Sequence, residues 1–495
     1  MIAGDFVAFK YCTVLPNVLA VHLRNSNPHS IEQTHSDTMA AEGNSSTGLA
    51  AAAQAGAGAG AAAPKTDVQV QVRFRSRNKR YAVTDTAILV PARLRRYGLS
   101  EIINHLLEKT DMPVPFDFLV DGKFLQTSLA TYLDNHGLST ETVLELEYVE
   151  ATLPPTQAAT FQHDEWIAAV KGHAGPAKPW TLTGSYDGLA RVWDRSGNCK
   201  AVLKAHAGAV KAVAWLPSQS EQQDRIITGG QDFKAYGWEF GGEDADVKTK
   251  VLFECAGHTG SVDAIAPHPL GEHFATGSFD GNIMIWSSDP TDVEESEEPR
   301  KRRKVAKDDD TVETITGVPL KRATKRLTGH TAAVSALTYE HTASSTASLY
   351  SGGWDHSVRV WDVEQNTNTW TMGCEKVILA MDHSSFSGLL VTGHSDSVVR
   401  LWDPRVQEGL IVKLKLASHT NWVSSVRWSP SSAYTFASAS YDGTIKVWDI
   451  RSTKPLYTLA AGGEETAKVL SVDWVEGYLL SGGEDAQLRV WTAQA

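Results

Sequence analysis

Between residues 187 and 491 an aspartate stands six positions before a tryptophan seven times. The pairs are Asp187 and Trp193, Asp232 and Trp238, Asp280 and Trp286, Asp355 and Trp361, Asp396 and Trp402, Asp442 and Trp448, and Asp485 and Trp491. One offset kept seven times marks a repeat, and it explains about half of the 15 tryptophans in the 495 residues. Successive tryptophans are 45, 48, 75, 41, 46 and 43 residues apart. Each pair sits in one frame, as in Thr183-Gly-Ser-Tyr-Asp187-Gly followed by Ala190-Arg-Val-Trp193-Asp. That frame reads as a strand, a tight turn carrying the aspartate, and a second strand ending in the tryptophan.

All intervals but one match the period of roughly 40–45 residues of a four-stranded propeller blade. A loop histidine precedes four of the pairs (His206, His258, His330 and His419), and His163 is a weaker match. These residues resemble the WD-repeat family, which implies a mainly β fold with a seven-bladed WD40 β-propeller over residues 155–495. By that resemblance His206, Asp232 and Trp238 form a buried hydrogen-bond network with a Ser or Thr. So do His258, Asp280 and Trp286, then His330, Asp355 and Trp361, then His419, Asp442 and Trp448. An unpaired buried polar group costs roughly 1–3 kcal/mol, so such networks fix the loops when complete. His258, Asp280 and Ser278 also have the residue types of a hydrolase triad, but the set recurs in several blades, whereas an enzyme needs one site. Blade five (Met372–Trp402) has no histidine in the usual loop, and blade seven has Gly462-Gly463-Glu464 there. Those two networks are expected to be incomplete and their blades less rigid. Only four residues follow Trp491, so residues 157–162 are expected to supply the last outer strand and close the ring.

The 75-residue interval places an insertion, about 288–324, between the third and outer strands of blade three. It is acidic, then basic, then acidic, which predicts an exposed, disordered segment. Its block Arg300, Lys301, Arg302, Arg303 and Lys304 fits a basic nuclear import signal or a patch for RNA phosphates. The flanking acids compete for the same cations and weigh against nucleic acid, leaving direct RNA contact open.

Residues 1–66 read as a disordered leader. It holds an Ala/Gly tether from Gly48 to Pro64 and a second start candidate at Met39. Its apolar run from Thr13 to Leu23 is a weak signal-peptide candidate at best. Residues 67–150 carry a different pattern. Val68, Val70, Val72 and Phe74 alternate with polar residues as a strand, and Tyr81-Ala82-Val83 is expected to return from a basic turn. Ser100 is expected to cap a helix burying Ile102, Ile103, Leu106 and Leu107. Phe116–Val120, the Asp121-Gly122 turn, Phe124-Leu125 and Thr142–Tyr148 complete a small α+β, ubiquitin-like roll. Bases dominate its first part, from Arg73 to Arg96, and acids its second, from Asp111 to Glu150, read as two solvated faces.

Composition excludes several classes. Four dispersed cysteines without a CxxC exclude a disulfide scaffold and a Cys-rich zinc site. No apolar stretch reaches the ~18 residues of a membrane helix. A net charge of −12 argues against broad nucleic-acid binding. No Walker loop, dinucleotide fingerprint, HExxH or Gly-x-Ser-x-Gly elbow occurs, and no metal site or cofactor of the chain's own is expected.

The pairing of roll and propeller is similar to eukaryotic ribosome-biogenesis WD-repeat proteins that share their N-terminal domain with the Notchless proteins. The resemblance covers about 67–495 and is carried by Lys79-Arg-Tyr-Ala-Val83, Leu94–Ile102, Val114–Leu119, Gly137-Leu-Ser-Thr-Glu141 and Glu147-Tyr148. Seven blades and the basic insertion favour the member that works with pescadillo and the block-of-proliferation protein. The resemblance implies a non-catalytic assembly factor of pre-60S particles in the nucleus, nucleolus and nucleoplasm, needed for pre-rRNA processing. Its propeller would dock to that of the block-of-proliferation protein. Its roll would bind the adhesion site of the midasin AAA ATPase, with Glu141 completing the coordination of the partner's Mg²⁺, a hard cation that takes carboxylate oxygen. The rival class is a WD40 adaptor or substrate receptor of a ubiquitin ligase; the absence of a terminal Gly-Gly after Glu150 counts against a conjugated modifier only.

Overall fold

The computed structural model describes residues 68–109, 112–173, 180–217, 223–241, 248–293, 317–341, 347–406, 412–461 and 467–493. The leader 1–66 and the block Arg300–Lys304 lie outside them.

Alternating apolar residues drive the roll together. Strands β1 (Gln69–Arg75), β2 (Ile88–Pro91), β3 (Phe116–Val120), β4 (Lys123–Phe124) and β5 (Leu144–Glu150) form one sheet in the order β2-β1-β5-β3-β4. Helices α1 (Arg96–Leu106) and α2 (Leu129–His136) add Leu99, Ile103, Leu129 and Leu133 to the buried face of Val70, Val72, Phe118 and Leu146. The first and last long strands, β1 and β5, run parallel in the centre. That pairing cancels the charge polarity of the sequence, because it lays the basic strand beside the acidic one. Arg75 meets Glu145 at 3.0 Å, and Arg77 is bonded to Glu147. Exposed pairs of this kind each contribute about 0–1 kcal/mol.

Two local expectations change. The returning strand is Ile88–Pro91, not Tyr81–Val83; Lys79–Tyr81 is a 3₁₀ turn, capped by the Asn78 side chain accepting from the Arg80 amide at 3.0 Å. Tyr81 is needed in the core instead, with its ring 5.3 Å from Phe116 and its carbonyl accepting from the Tyr148 hydroxyl. Ser100 sits inside α1, not at its cap. Its hydroxyl accepts from the Phe116 amide at 3.1 Å and so fixes the entry to β3. Leu106 is exposed.

Seven further sheets contain four or five strands each. Their innermost strands are Ile167–Gly172, Val210–Leu216, Val262–Pro267, Val334–Tyr339, Ile378–His383, Val423–Trp428 and Val469–Val475, each beside the next and the last beside the first. The ring closes through β6 (Thr156–Gln162), the outer strand of the seventh sheet, in register from Thr156 opposite Thr492 to Gln162 opposite Gln487. Because strands alternate in direction, the aspartate turns and histidine loops share one end of the ring. The first-to-second-strand loops and the blade-three insertion share the other.

The described returning end of the insertion, from residue 317, is built into the fold. Leu320–Lys321 adds a parallel strand to the outer edge of blade two, opposite Glu254 and Cys255. Lys321 is only 1% exposed. Its ammonium donates to the Ser287 carbonyl at 2.7 Å and lies 4.0 Å from the Phe253 ring centre. The buried cation thus ties the returning end of the insertion to its departing end.

The roll packs on the second end of the ring, at blade six. The Phe124 amide donates to the Arg451 carbonyl at 3.3 Å, and Gln126 Nε2 donates to Ser452 Oγ at 2.9 Å. The Arg451 guanidinium lies 4.9 Å from the Phe124 ring and 4.3 Å from Tyr434, held by both oxygens of Asp449 at 2.9 and 2.6 Å. The Tyr457 hydroxyl donates to the Thr152 carbonyl at 2.5 Å, in the link between roll and ring.

A chain of ion pairs crosses four blades at the channel, whose cavity measures about 970 Å³. Arg427 of blade six bonds Asp382 of blade five at 3.0 Å and Asp473 of blade seven at 2.9 Å. Asp473 also accepts from Lys171 at 3.3 Å and from the Gly172 amide at 2.8 Å, both in blade one. Burial alone would raise the Asp382 carboxyl, but Arg427 outweighs it and holds the group at about 2. Asp473→Ala leaves the Lys171 ammonium and the Gly172 amide without this acceptor and Arg427 with Asp382 alone, and should cost about 3 kcal/mol. Equilibrium urea unfolding, with Leu203→Ala in the core of blade one as a size reference, checks this.

Candidate functional site

The blade networks form a directed chain of hydrogen bonds. In blade two the Trp238 indole donates to the Thr228 hydroxyl at 3.0 Å, and that oxygen lies 2.9 Å from His206 Nε2. His206 Nδ1 lies 2.9 Å from the Asp232 carboxylate, which also accepts the Ala207 amide at 3.1 Å. The only assignment that satisfies every group has the hydroxyl donating to Nε2 and Nδ1–H donating to the carboxylate. Blade three repeats this with Trp286, Thr276, His258 and Asp280 (2.8, 2.8 and 3.1 Å). Blade four uses Trp361, Ser351, His330 and Asp355 (2.7, 2.7 and 2.8 Å). Blade six uses Trp448, Ser438, His419 and Asp442 (2.8, 2.7 and 2.8 Å). The hydroxyl that His258 reaches belongs to Thr276, not Ser278, and Thr276 is fully buried. A nucleophile sealed between an indole and an imidazole cannot meet a substrate, so this set is structural.

Blades one, five and seven solve the same problem with arginine. Asp187 pairs with Arg191 at 2.6 Å, Asp396 with Arg400 at 3.0 and 2.5 Å, and Asp485 with Arg489. In blade five the relay is cut short, because buried His394 Nδ1 has no hydrogen-bond partner and Asp396 bonds Arg400 instead. The Thr392 hydroxyl, 2.7 Å from the Trp402 indole, is met at 2.8 Å by His394 from its own strand. In blade one His163 meets Thr183 at 2.9 Å. The loop residues 462–466 of blade seven are outside the described residues. Arg-x-Trp at 191, 400 and 489 puts a cation four residues after the aspartate, across the turn, but the same pattern stands at Arg359 in blade four, 3.8 Å from Asp355, so it does not by itself single out these blades.

Burial pushes the His163 and His394 imidazoles down to about 4. For Asp355 and Asp442 burial works upward, but the bonds from His330 and His419 prevail and hold both carboxyls low. The signs separate in pH. A histidine depressed from 6.5 stays neutral in the fold while the unfolded chain takes up its proton, so stability falls from about pH 6.5 to 4. The depressed aspartates stabilise the fold above the usual carboxylate range, and that contribution is lost only at lower pH. The midpoint of thermal unfolding should therefore drop between pH 7 and 4, and His394→Gln should flatten part of that drop.

Glu141 lies in the turn between α2 and β5. Gly137 ends α2 in the left-handed conformation (φ 62°), and Ser139 then organises the turn. Its Oγ accepts the Glu141 amide at 3.2 Å, and its carbonyl accepts the Thr142 hydroxyl at 2.6 Å. The Glu141 side chain is exposed, forms no ion pair among the described residues, and is flanked by exposed Leu138 and Val143. It is a free carboxylate on a fixed turn. His268, Glu272 and His273, in a loop of blade three, also bring potential metal ligands together. Their imidazoles stack at 4.3 Å with 24° between planes, however, so the in-plane lone pairs run side by side and do not converge on one ion.

Two family models match the chain. The NLE (NUC135) domain covers residues 70–133, and the WD domain, G-beta repeat, covers 155–194, 197–239, 249–287, 321–362, 366–403 and 411–449. Relatives include the ribosome biogenesis protein WDR12 homolog of Chlamydomonas reinhardtii, 38% identical over 83% of this chain and 94% of the relative. The WDR12 homolog of Nematostella vectensis is 36% identical over 83% and 96%, and ribosome biogenesis protein ytm1 of Schizosaccharomyces pombe is 35% identical over 83% and 94%. The chain belongs to the WDR12/Ytm1 family. The seventh sheet, which has no matched WD repeat of its own at its C-terminal strands, still carries the family frame through Asp485 and Trp491, with the Trp491 indole 3.1 Å from Ser481 Oγ.

Proposed function

We propose that the protein is a non-catalytic assembly factor of the large (60S) ribosomal subunit, acting in pre-rRNA processing and pre-60S maturation. The names of its relatives support a role in ribosome biogenesis. In this reading the propeller docks to the propeller of the block-of-proliferation WD-repeat protein, alongside pescadillo. The roll binds the adhesion site of the midasin AAA ATPase, which releases the factor from the particle. The protein then works in the nucleus, nucleolus and nucleoplasm.

The observation that carries the mechanism is the free carboxylate of Glu141 on its rigid turn. An Mg²⁺ ion demands near-ideal octahedral oxygen geometry, so a preset carboxylate loses little freedom on filling an open position. The chain holds no metal in this scheme and supplies one ligand in trans. Exposed Leu138 and Val143 beside it can exclude water from the contact. Nothing favours the ubiquitin-ligase adaptor: the β3–β4 edge of the roll is taken up by blade six.

Glu141→Ala should fold normally and lose binding to an isolated midasin adhesion domain, while Glu141→Asp, a methylene shorter, should bind weakly. Pull-downs with and without chelator decide it, and equal capture of wild type and Glu141→Ala overturns the mechanism. The block Arg300–Lys304 is proposed as the import signal. Neutralising all five cations should leave a fluorescently tagged protein in the cytoplasm, and unchanged nuclear accumulation assigns import to another signal or a carried partner.

A further inference from the structure

The turn that presents Glu141 hangs between two fixed points. At one end α2 stops at Gly137, and the Leu138 amide donates to the Leu133 carbonyl at 3.0 Å. At the other end β5 begins at Leu144, which is buried and stands opposite Val72 in the centre of the roll's sheet. Glu141 lies between these anchors with its side chain in solvent. Neither anchor by itself sets the direction of the carboxylate.

Among the described residues, every hydrogen bond printed by the short stretch 139–143 upon itself ends on Ser139. The Ser139 hydroxyl accepts the Glu141 amide at 3.2 Å. The Ser139 carbonyl accepts two donors from Thr142, the amide at 3.2 Å and the hydroxyl at 2.6 Å. Glu141 is thus bracketed, by Ser139 on one side and Thr142 on the other. The Thr142 hydroxyl makes the shortest of the three bonds. Serine and threonine hydroxyls close local turns in this way, and a β-branched side chain has few rotamers to lose in doing so. Thr142 is exposed and has no place in the buried core of the roll. Its hydroxyl therefore serves the turn and not the packing.

We infer that Thr142 is a positioning residue for Glu141. It holds the backbone that aims the carboxylate and does not itself meet the partner's ion. The role rests on the function proposed above, in which Glu141 is a metal ligand in trans. It lies outside the Gly137–Glu141 stretch that carries the resemblance, which stops one residue short of Thr142. A carboxylate that fills one place of an octahedral Mg²⁺ shell has to arrive at a set distance and direction. Freedom removed beforehand is not lost on binding. Groups that orient a ligand without touching the metal change affinity by roughly 10–100-fold when removed.

The test uses the full chain against an immobilised midasin adhesion domain, in Mg²⁺ and in chelator. Thr142→Val keeps the branched shape and deletes the hydroxyl. It should weaken binding in Mg²⁺ by about 10-fold and leave the residual binding in chelator unchanged. Amide exchange at Glu141 should quicken while the thermal unfolding midpoint stays put. Thr142→Ser keeps the hydroxyl and should restore binding. Wild-type affinity of Thr142→Val in Mg²⁺ overturns the inference, and so does a Thr142→Ser as weak as Thr142→Val. An equal loss in chelator also overturns it, because Thr142 then touches the partner directly. If these results come with loss of binding by Glu141→Ala, the trans-ligand reading stands without Thr142. If Glu141→Ala binds as wild type does, that reading fails and this inference with it.

Discussion

In each of the seven blades an indole N–H is buried where water cannot reach it, and in each it donates to a serine or threonine hydroxyl on the adjacent strand. The distances run from 2.7 Å at Trp361 and Trp402 to 3.1 Å at Trp491. No blade omits this contact, and none omits the bond by which the turn aspartate accepts the amide two residues on, from 2.8 Å at Asn282 to 3.4 Å at Lys234. The indole bond sets the register between the second and third strands and fixes where the turn between them must fall. The aspartate is constant beside it, and what varies is the histidine or arginine that meets the aspartate. Because the hydroxyl can still donate onward, it calls for an acceptor, and His206, His258, His330 and His419 supply one from a loop. His394 supplies one from the strand itself. The aspartate then needs a donor, and an imidazole or a guanidinium serves equally well.

That hierarchy explains what was legible in the sequence. The Asp-to-Trp offset survives because both ends are tied to the same hydroxyl-bearing strand, so the blades, their spacing and the closing strand could be read directly. Partners from elsewhere in the chain left weaker traces. The arginines at 191, 400 and 489 stand two residues before a tryptophan, but so does Arg359 in blade four, so the pattern alone does not tell the two kinds of network apart. Thr276 and Ser278 have similar chemistry and lie two apart, on the same face of a strand, so only coordinates distinguish them. Tyr81 has the composition of a strand residue, yet packing against Phe116 places it in a turn. The divided charges of the roll suggested two faces, because sequence position says nothing of the parallel pairing that brings Arg75 to Glu145.

Local and non-local features differ in the same way. Glu141 stands on a turn whose hydrogen bonds are local, between Ser139, Glu141 and Thr142, and a short motif can encode that. The residue after each turn aspartate is left-handed in every blade, and no single repeat shows that blade two departs from the glycine of blades one, three and six. Phe233 shows up only by comparison with the glycines of three other blades, and its strain is a property of backbone conformation.

The docking of the roll on blade six has a mechanical consequence. The roll is joined to the ring by residues 151–155, and the next strand, Thr156–Gln162, is the one that closes the circle. Without other contacts, tension on the roll would enter the ring at its seam. The Arg451 guanidinium between Phe124 and Tyr434, the Gln126–Ser452 bond and the Tyr457–Thr152 bond provide a second path, into a blade whose four strands follow one another in the chain. Load is then shared between a seam and a continuous sheet, so the roll can serve as a handle with less risk of opening the ring it is attached to.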